Sequence, residues 1–243
     1  MPNTKPKIYA LAVIAHPDDE SYLIAGTSLK LAAQKKHVAV VCATRGEQGN
    51  SQLTKPVTKK ELAKIREQEL RAACRMLKVN QVNFLSFKDG GLKHAPFADV
   101  AAGVSKKIDY HKPEVVITFG KEGITGHSDH VVIGMAAAQA CLISKHRPKE
   151  IWRLSIPHSI VGEFEAMILK SRAHKNHYKH RSLKGVPDYK LTWMNVEKYK
   201  KEKLAAINSH KSQGLPHWVR HKTPAMEKIL LCNEFFEIIK LKG

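Results

Sequence analysis

The feature that most restricts the fold of this chain is an apolar run, Ile8 to Ala15, which stops at His16 and Pro17. An uninterrupted apolar run of this length, closed by a proline, is typical of a strand buried on both faces of a parallel sheet. Sheets of this kind bind ligands just beyond the carboxyl ends of their strands. We therefore expect the residues after Ala15 to lie at the functional edge of a sheet.

Three further segments repeat the pattern of an apolar strand, a polar loop and a helix. The later strands are predicted at His37 to Thr44, Gln81 to Phe87 and Pro113 to Phe119. The helices are predicted at Glu20 to Lys36, Thr58 to Leu77, Phe97 to His111 and Val131 to Ser144, with a capping box at Thr58 and Glu61 and a cap at Ser128 and Asp129. This alternation predicts an α/β fold, with a doubly wound, mostly parallel sheet flanked by helices.

The pattern weakens in the second half of the chain. We predict strands over Ile151 to Ile156 and Tyr189 to Met194, and helices over Ile160 to Lys170, Val196 to Ser209 and Glu227 to Leu241. Ser171 to Lys184 carries three histidines among basic residues but no cysteine or acid, which favours a mobile basic loop over a metal site. We expect one domain over residues 1–243, with a catalytic core at 1–145 and a smaller C-terminal portion, 146–243, that shapes the pocket.

An imidazole and three acids follow the first strand directly, at His16, Asp18, Asp19 and Glu20. So many like charges at the end of a buried strand are unfavourable unless a cation lies among them. His16 and Asp19 can face one metal ion across the proline turn, which leaves Asp18 for proton transfer. A His-x-x-Asp alone is more often a turn with a helix cap. A second motif after another strand, Gly126 to His130, makes a metal site the stronger interpretation and is the candidate source of the third ligand.

Two other loops follow predicted strands and should share this edge. One is Thr44 to Asn50, and the other contains Asp89 before two glycines, where a simple turn and a contact to substrate hydroxyls are both open. The first strand lacks the G-x-G-x-x-G turn that admits a pyrophosphate, and its carboxylates would repel one. The sequence therefore disfavours a dinucleotide cofactor.

The chain is strongly basic, with 41 Lys and Arg against 22 Asp and Glu and a formal net charge of +19. Such a charge suits a nucleic acid or an anionic membrane. No zinc finger, aromatic RNA-binding signature or basic zipper is present, so a solvated basic surface is the preferred interpretation. Four cysteines far apart indicate reduced thiols and a cytoplasmic protein, and no apolar run is long enough for a transmembrane segment. The sequence leaves monomer and homo-oligomer open.

Together these motifs resemble those of the LmbE-like or PIG-L family of metal-dependent N-acetylglucosaminyl deacetylases. The resemblance is carried by Ala15 to Glu20, Thr44 to Gly49, Asp89 to Leu92, Thr118 to Gly120 and Gly126 to His130, in this order and spacing. It covers the first 145 residues, and Ala206 to Gln213 is similar to the family's C-terminal A-x-x-x-H-x-S-Q signature. Ser128 stands where the family often has proline and Ala25 where it often has a second glycine, but neither is a proposed ligand.

The resemblance implies a Rossmann-like fold and a zinc ion (Zn2+) held by His16, Asp19 and His130. Two imidazoles and one carboxylate leave a coordination position open for water, which is typical of a catalytic zinc. The same ligand set suits Fe2+, which could replace zinc in the hydrolase. Asp18 would then be the general base, and His127 would stabilise the oxyanion.

The resemblance assigns further roles around this centre. Asp129 would orient a ligand histidine from the second shell of the metal, or serve only as a charge at a helix N-terminus. Arg45 and Asp89 match positions that face the substrate in the family. His210 would either contribute to the site or only pack the C-terminal helix. Either Asp18 or His127 would protonate the leaving amine.

The expected function is zinc-dependent hydrolysis of an N-acetyl group from a glucosamine-containing small molecule or glycoconjugate. The basic surface favours an anionic N-acetylated amino sugar as substrate. One alternative keeps the same catalytic groups but cleaves a larger amide, as in the thiol-conjugate amidases that the chain also resembles. Another is a non-enzymatic module that binds polyanions through its basic surface.

Overall fold

The computed structural model of the chain describes residues 6–170, 183–214 and 229–241. Its strands are β1 (Ile8–Ile14), β2 (His37–Cys42), β3 (Gln81–Phe84), β4 (Val115–Phe119), β5 (Glu150–Leu154), β6 (Thr192–Asn195) and β7 (Asn233–Lys240). They form one sheet in the order β3-β2-β1-β4-β5-β7-β6. The first five strands run parallel, whereas β7 is antiparallel to both β5 and β6. The mostly parallel α/β sheet is therefore confirmed.

Helices cover this sheet in two groups. They are α1 (Asp19–Leu23), α2 (Ala25–Ala33), α3 (Lys59–Met76), α4 (Phe97–His111), the single turn α5 (Gly123–Gly126), α6 (Ser128–Ile143), α7 (Val161–Lys170) and α8 (Lys200–Ser209). One group pairs α4 with α6 against β1, and the other packs α1, α2 and α3 against α8. All of β4 is buried, as is all of β1 except Tyr9, which is half-buried. The long apolar runs are therefore strands covered on both faces, as their composition predicts.

The order of the strands locates the functional edge of the sheet. From β1 the chain moves outward through β2 and β3, and then returns to place β4 on the other side of β1. In open α/β sheets, such a reversal leaves a crevice at the carboxyl ends of the two central strands. His16 follows β1, and the segment containing His127 and His130 follows β4. Both predicted motifs thus open onto the same crevice.

Two predicted helices differ from the observed elements. The helix predicted from Glu20 to Lys36 is divided into α1 and α2 at Ile24, whose φ of −135° and ψ of 9° are not helical. The closing helix predicted from Glu227 to Leu241 is wrong, because its larger part, Asn233–Lys240, is the strand β7. Its aromatic and β-branched residues favour a strand, and pairing on both sides with β5 and β6 stabilises that choice.

Three further observations concern the sequence predictions. The four cysteines are free and buried. No helix among the described residues has both the length and the hydropathy that a membrane crossing requires. The predicted basic loop, Ser171 to Lys184, falls mostly outside the described residues.

Candidate metal centre

Two histidine nitrogens face each other at the crevice. His16 Nδ1 lies 3.2 Å from His130 Nε2, and both side chains are largely buried. Asp19 adds a carboxylate, with Oδ1 3.3 Å from His130 Nε2 and Oδ2 3.9 Å from His16 Nδ1. Donors bound tetrahedrally to one ion at zinc-ligand distances lie about 3.4 Å apart. The structure therefore brings the three predicted ligands together, with the Asp19 carboxylate against both histidine rings.

Hydrogen bonds on the outer side of each ring orient the two nitrogens. His16 Nε2 lies 3.1 Å from Asp89 Oδ1 and 3.4 Å from Asp129 Oδ2, so it donates to carboxylates. His130 Nδ1 donates to the Gly123 carbonyl at 2.9 Å. When both rings are neutral, their inner nitrogens carry lone pairs directed at a shared space, an arrangement that a cation stabilises. This orientation of the two rings shows that the residues present fit a metal ion.

The carboxylate of Asp19 is fixed by the backbone that precedes it. Its Oδ2 accepts hydrogen bonds from the Ala15 amide at 3.1 Å and the His16 amide at 2.8 Å. The turn after β1 therefore satisfies one oxygen and leaves Oδ1 directed toward His130. This local geometry explains why the proline turn and the acid three residues after His16 occur together.

The surrounding charges favour a positive charge at the centre. Burial alone would lower the pKa of His16, but hydrogen bonds to Asp129 and Asp89 outweigh it and raise the pKa to about 10. Burial would raise the pKa of Asp89, but the hydrogen bond from His16 outweighs it and lowers the pKa to about 2. A metal ion bound between the imidazoles would meet the same electrostatic preference.

His127 is a further donor near this space. One of its ring nitrogens lies within 4.8 Å of ring nitrogens of both His16 and His130. The described residues contain one other group of three potential metal ligands at this spacing, His16, Asp89 and Asp129. Burial, followed by the charges at His16 and His130, lowers the pKa of His127 to about 4. The ring is therefore neutral near pH 7 and can donate one hydrogen bond.

His127 also corrects the prediction for the start of α6. The helix is capped by the His127 ring, whose Nδ1 accepts from the Asp129 amide at 3.2 Å, rather than by Ser128 and Asp129. Asp129 is fully buried, and its carboxylate accepts hydrogen bonds from the amides of Gly90 at 2.8 Å and Leu92 at 3.2 Å. Because it also contacts His16, Asp129 links the loop after β3 to the candidate ligand.

Asp18 lies beside the centre in a strained backbone conformation. Its φ of 124° is unusual for any residue except glycine. The Arg66 guanidinium donates to Asp18 Oδ2 at 3.0 Å, and Glu20 Oε2 accepts from the Asp18 amide at 3.0 Å. Burial raises the pKa of Asp18 to about 6, although Arg66 opposes the rise. Asp18 is thus a carboxylate of increased basicity held at the edge of the site.

Arg66 was not predicted as a site residue. It is 4% exposed, and besides Asp18 it donates to the carbonyls of Pro17 and Gly46. The signal that could have revealed it is its spacing on α3, where it lies four residues from both Leu62 and Leu70 and so belongs to the buried face. Arg66 thereby ties the first two loops of the crevice to one helix.

Glu20 and His210 form a second unpredicted contact. His210 Nε2 lies 2.7 Å from Glu20 Oε1, and Ser21 Oγ donates to the same oxygen at 2.6 Å. Both side chains of the pair are almost completely buried. The C-terminal signature residue therefore reaches the first motif instead of only packing its helix.

The two predicted substrate contacts are engaged within the protein. Arg45 Nε donates to Glu67 at 2.9 Å, and its guanidinium lies 4.9 Å from the centre of the Phe84 ring. Asp89 is 7% exposed, contacts His16 and accepts from the Gln48 amide at 2.8 Å. Substrate binding by Arg45 and Asp89 remains a prediction.

Comparisons with known proteins show the family of the chain. The model of the PIG-L family, described as GlcNAc-PI de-N-acetylase, matches residues 11–141, which is more than half of the 243 residues. A Bacillus anthracis protein named "Probable N-acetyl-alpha-D-glucosaminyl L-malate deacetylase 2" is 29% identical over 210 residues, covering 86% of this chain and 83% of its own. The 1D-myo-inositol 2-acetamido-2-deoxy-alpha-D-glucopyranoside deacetylase of Thermomonospora curvata is 29% identical over 240 residues, covering 84% of this chain and 80% of its own.

A solved structure shows the same fold. The N,N'-diacetylchitobiose deacetylase of Pyrococcus horikoshii superposes with a TM-score of 0.70 at 18% identity, covering 96% of this chain and 84% of its own. The family match, which begins at Leu11 within β1, includes the His16 turn and the histidine segment after β4. The chain therefore belongs to the PIG-L (LmbE-like) family.

Proposed function

We propose that this chain is a metal-dependent N-deacetylase that hydrolyses the N-acetyl group of a glucosamine-containing small molecule, releasing acetate and a free amine. The observation that carries the proposal is the meeting of His16 Nδ1 and His130 Nε2, 3.2 Å apart, with the Asp19 carboxylate against both rings. The charges of Asp19 and His16 also act on the adjacent Asp18 carboxylate. The relatives named as deacetylases of N-acetylglucosaminyl compounds support the same chemistry.

His16, Asp19 and His130 would hold the metal, for which we propose zinc. Two imidazoles and a carboxylate suit Zn2+, and Fe2+ is compatible with the same set. The ion, when bound, lowers the pKa of water and polarises a carbonyl oxygen. Asp89 and Asp129 would fix the His16 ring so that Nδ1 remains available.

The remaining groups would move the proton and stabilise charge. Asp18 accepts the proton from the attacking water as the new C–O bond forms. His127 donates a hydrogen bond to the acetamide oxygen, on which negative charge develops. When the C–N bond breaks, Asp18 returns its proton to the amine nitrogen, which leaves the protein in its starting protonation state.

We further propose an anionic substrate and a cytoplasmic location. The net charge of +19 favours the approach of anions, and one relative is named for a substrate that carries malate. Four buried, unpaired thiols support a reducing compartment. The sugar would enter the crevice that β1 and β4 open.

The test is release of acetate from N-acetylglucosaminyl compounds by the metal-loaded protein. Asp18→Asn should keep the metal but lower kcat by about 10²-fold or more, because the variant lacks the general base. His130→Ala should lose both the metal and the activity. Metal content measured by atomic emission separates the two variants.

Other outcomes would contradict the proposal. Normal turnover by Asp18→Asn would exclude Asp18 as the base. Cleavage of thiol-conjugate amides without release of acetate would favour the amidase alternative. Retention on heparin that survives His16→Ala, in a protein with no hydrolase activity on either substrate class, would favour the polyanion-binding module.

A further inference from the structure

A buried acid–histidine pair connects the C-terminal portion of the chain to the candidate base. His210, 1% exposed, directly follows α8, and Glu20, 0% exposed, lies in the first turn of α1. Oε1 of Glu20 lies 2.7 Å from His210 Nε2, while its other oxygen, Oε2, accepts the Asp18 amide at 3.0 Å. One carboxylate thus joins residues that lie 192 positions apart in the sequence, 18 and 210.

The amide that Glu20 holds belongs to a residue in an unfavourable conformation. A φ of 124° at Asp18 lies outside the regions that side-chain-bearing residues normally adopt. Such residues persist only where their surroundings hold them, and they are typical of functional sites. Arg66 holds the Asp18 side chain, and Glu20 holds its backbone N–H. The Asp18 carbonyl also accepts from the Ser21 amide at 2.9 Å, and these contacts together hold the residue in place.

His210 does not have the contacts of a residue retained for stability alone. Its Nδ1 is buried without a hydrogen-bond partner among the described residues, and an unsatisfied buried polar atom typically costs stability. Lys203 of α8, the helix that ends just before His210, forms another buried ion pair with Glu234 of β7 at 2.8 Å. Glu234 accepts from the amides of Gly26 and Thr27 in α2 and does not contact Asp18. The Lys203 pair therefore connects α8 with β7 and α2, whereas the His210 pair reaches the strained Asp18.

We propose that His210 is a positioning residue that acts through Glu20 to hold the Asp18 backbone, and so to direct the Asp18 carboxylate at the reaction centre. The proposal rests on the proposed function, in which Asp18 is the base. His210 donates to Glu20, which keeps that carboxylate in the orientation that accepts the Asp18 amide. The C-terminal portion thereby contributes to catalysis without contacting substrate.

The kinetic test compares two substitutions of His210. His210→Leu fills the space without a donor and should lower kcat about tenfold or more, with KM and metal content unchanged. His210→Gln retains an N–H donor and should recover most of kcat. Lys203→Met is the matched control, because it breaks a buried pair on the same helix; it should lower the midpoint of urea unfolding while kcat of the folded protein stays unchanged.

A double-mutant cycle then asks whether His210 acts through Asp18. Adding His210→Leu to Asp18→Asn should change kcat by less than about twofold, because the group being positioned is already absent. Equal loss of kcat in both backgrounds would overturn the proposal. A Lys203→Met variant that loses kcat as His210→Leu does would also overturn it, since the effect would then be general damage to the helix.

A spectroscopic measurement tests the link between His210 and the Asp18 backbone without an activity assay. Amide hydrogen exchange followed by NMR should show protection of the Asp18 amide in the unsubstituted protein and at least tenfold faster exchange in His210→Leu. The Gly26 and Thr27 amides, which Glu234 holds, are the internal reference and should not change. An unprotected Asp18 amide in the unsubstituted protein would refute the positioning link. Absence of deacetylase activity with this protection intact would refute the proposed function alone.

Discussion

At the scale of single residues, Arg66 shows how much of the site depends on one buried charge. Its guanidinium reaches the Asp18 carboxylate and the carbonyls of Pro17 and Gly46. The fork shape of the guanidinium allows these separate bonds, which a lysine ammonium cannot reproduce from a single point. Gly46 must remain small for this reason, since a Cβ there would lie 2.3 Å from Arg66 Nη1.

We expect Arg66→Met to destabilise the fold by about 3 kcal/mol, because it leaves a partly buried carboxylate and two carbonyls without their donor. Arg66→Lys should recover only part of this loss. Urea unfolding followed by circular dichroism measures both. Equal stability of the Met variant and the unsubstituted protein would show that the Arg66 contacts add nothing to stability.

The residues that were predicted and those that were not differ in their sequence context. His16 and Asp19 could be anticipated because they follow β1 directly, at an edge where strand ends converge, and His130 because its segment resembles the family motif. Arg66 was missed because an arginine within a helix rich in charged residues is normally exposed, and only its spacing from Leu62 and Leu70 indicates the buried face. The contact between Glu20 and His210 depends on how α8 docks, and spacing along the chain does not determine that.

At the scale of elements, α3 is the clearest agreement between sequence and structure. Thr58 Oγ1 accepts from the Glu61 amide, and the Glu61 carboxylate accepts from the Thr58 amide at 2.8 Å, as the capping box predicts. The helix spans Lys59–Met76, close to the predicted end at Leu77. It also carries Arg66, so a locally predictable helix positions a contact that was not predictable.

Thr58→Ala should lower the free energy of unfolding by about 1 kcal/mol, because it removes the cap from the first turn of α3. We expect kcat to stay unchanged, since Arg66 lies two turns further along the helix. Thr54→Ala, an exposed threonine just before the helix, is the matched control and should leave stability unchanged. Thermal unfolding of the two variants and the unsubstituted protein measures this difference. An equal loss of stability in both variants would contradict the assignment of Thr58 as the cap.

The segment that ends the chain shows where local pattern fails. Asn233–Lys240 has apolar residues at spacings that fit one face of a helix, but its aromatic and β-branched content suits a strand. The outcome depends on β5 and β6, which offer pairing edges on both sides. Glu234 then becomes buried beside Lys203, a contact that only the assembled sheet creates. Tertiary pairing therefore decides an element whose sequence is ambiguous.

At the scale of the whole molecule, the order of the strands makes the site. Residues from the β1 turn, the loop after β3, the segment after β4 and the end of α8 meet because β1 and β4 are neighbours at the reversal of the sheet. The alternation of strands and helices was sufficient to predict this sheet, whereas the contribution of the C-terminal portion was not predictable from it. The family match ends at residue 141, so His210 lies beyond the matched part.

The net charge of +19 gives the molecule a long-range positive electrostatic field, which the residues of the crevice alone would not produce. A positive field raises the local concentration of anions, and salt screens it over a Debye length of about 10 Å at 0.1 M. If the substrate is an anionic N-acetylglucosaminyl compound, kcat/KM should fall about tenfold between roughly 0.05 M and 0.5 M salt. A neutral N-acetylglucosaminyl compound, measured in parallel, should show little change because its approach is not steered. Equal salt dependence for the two compounds would mean that the basic surface has no part in substrate selection, and its charge would then need a different partner to explain it.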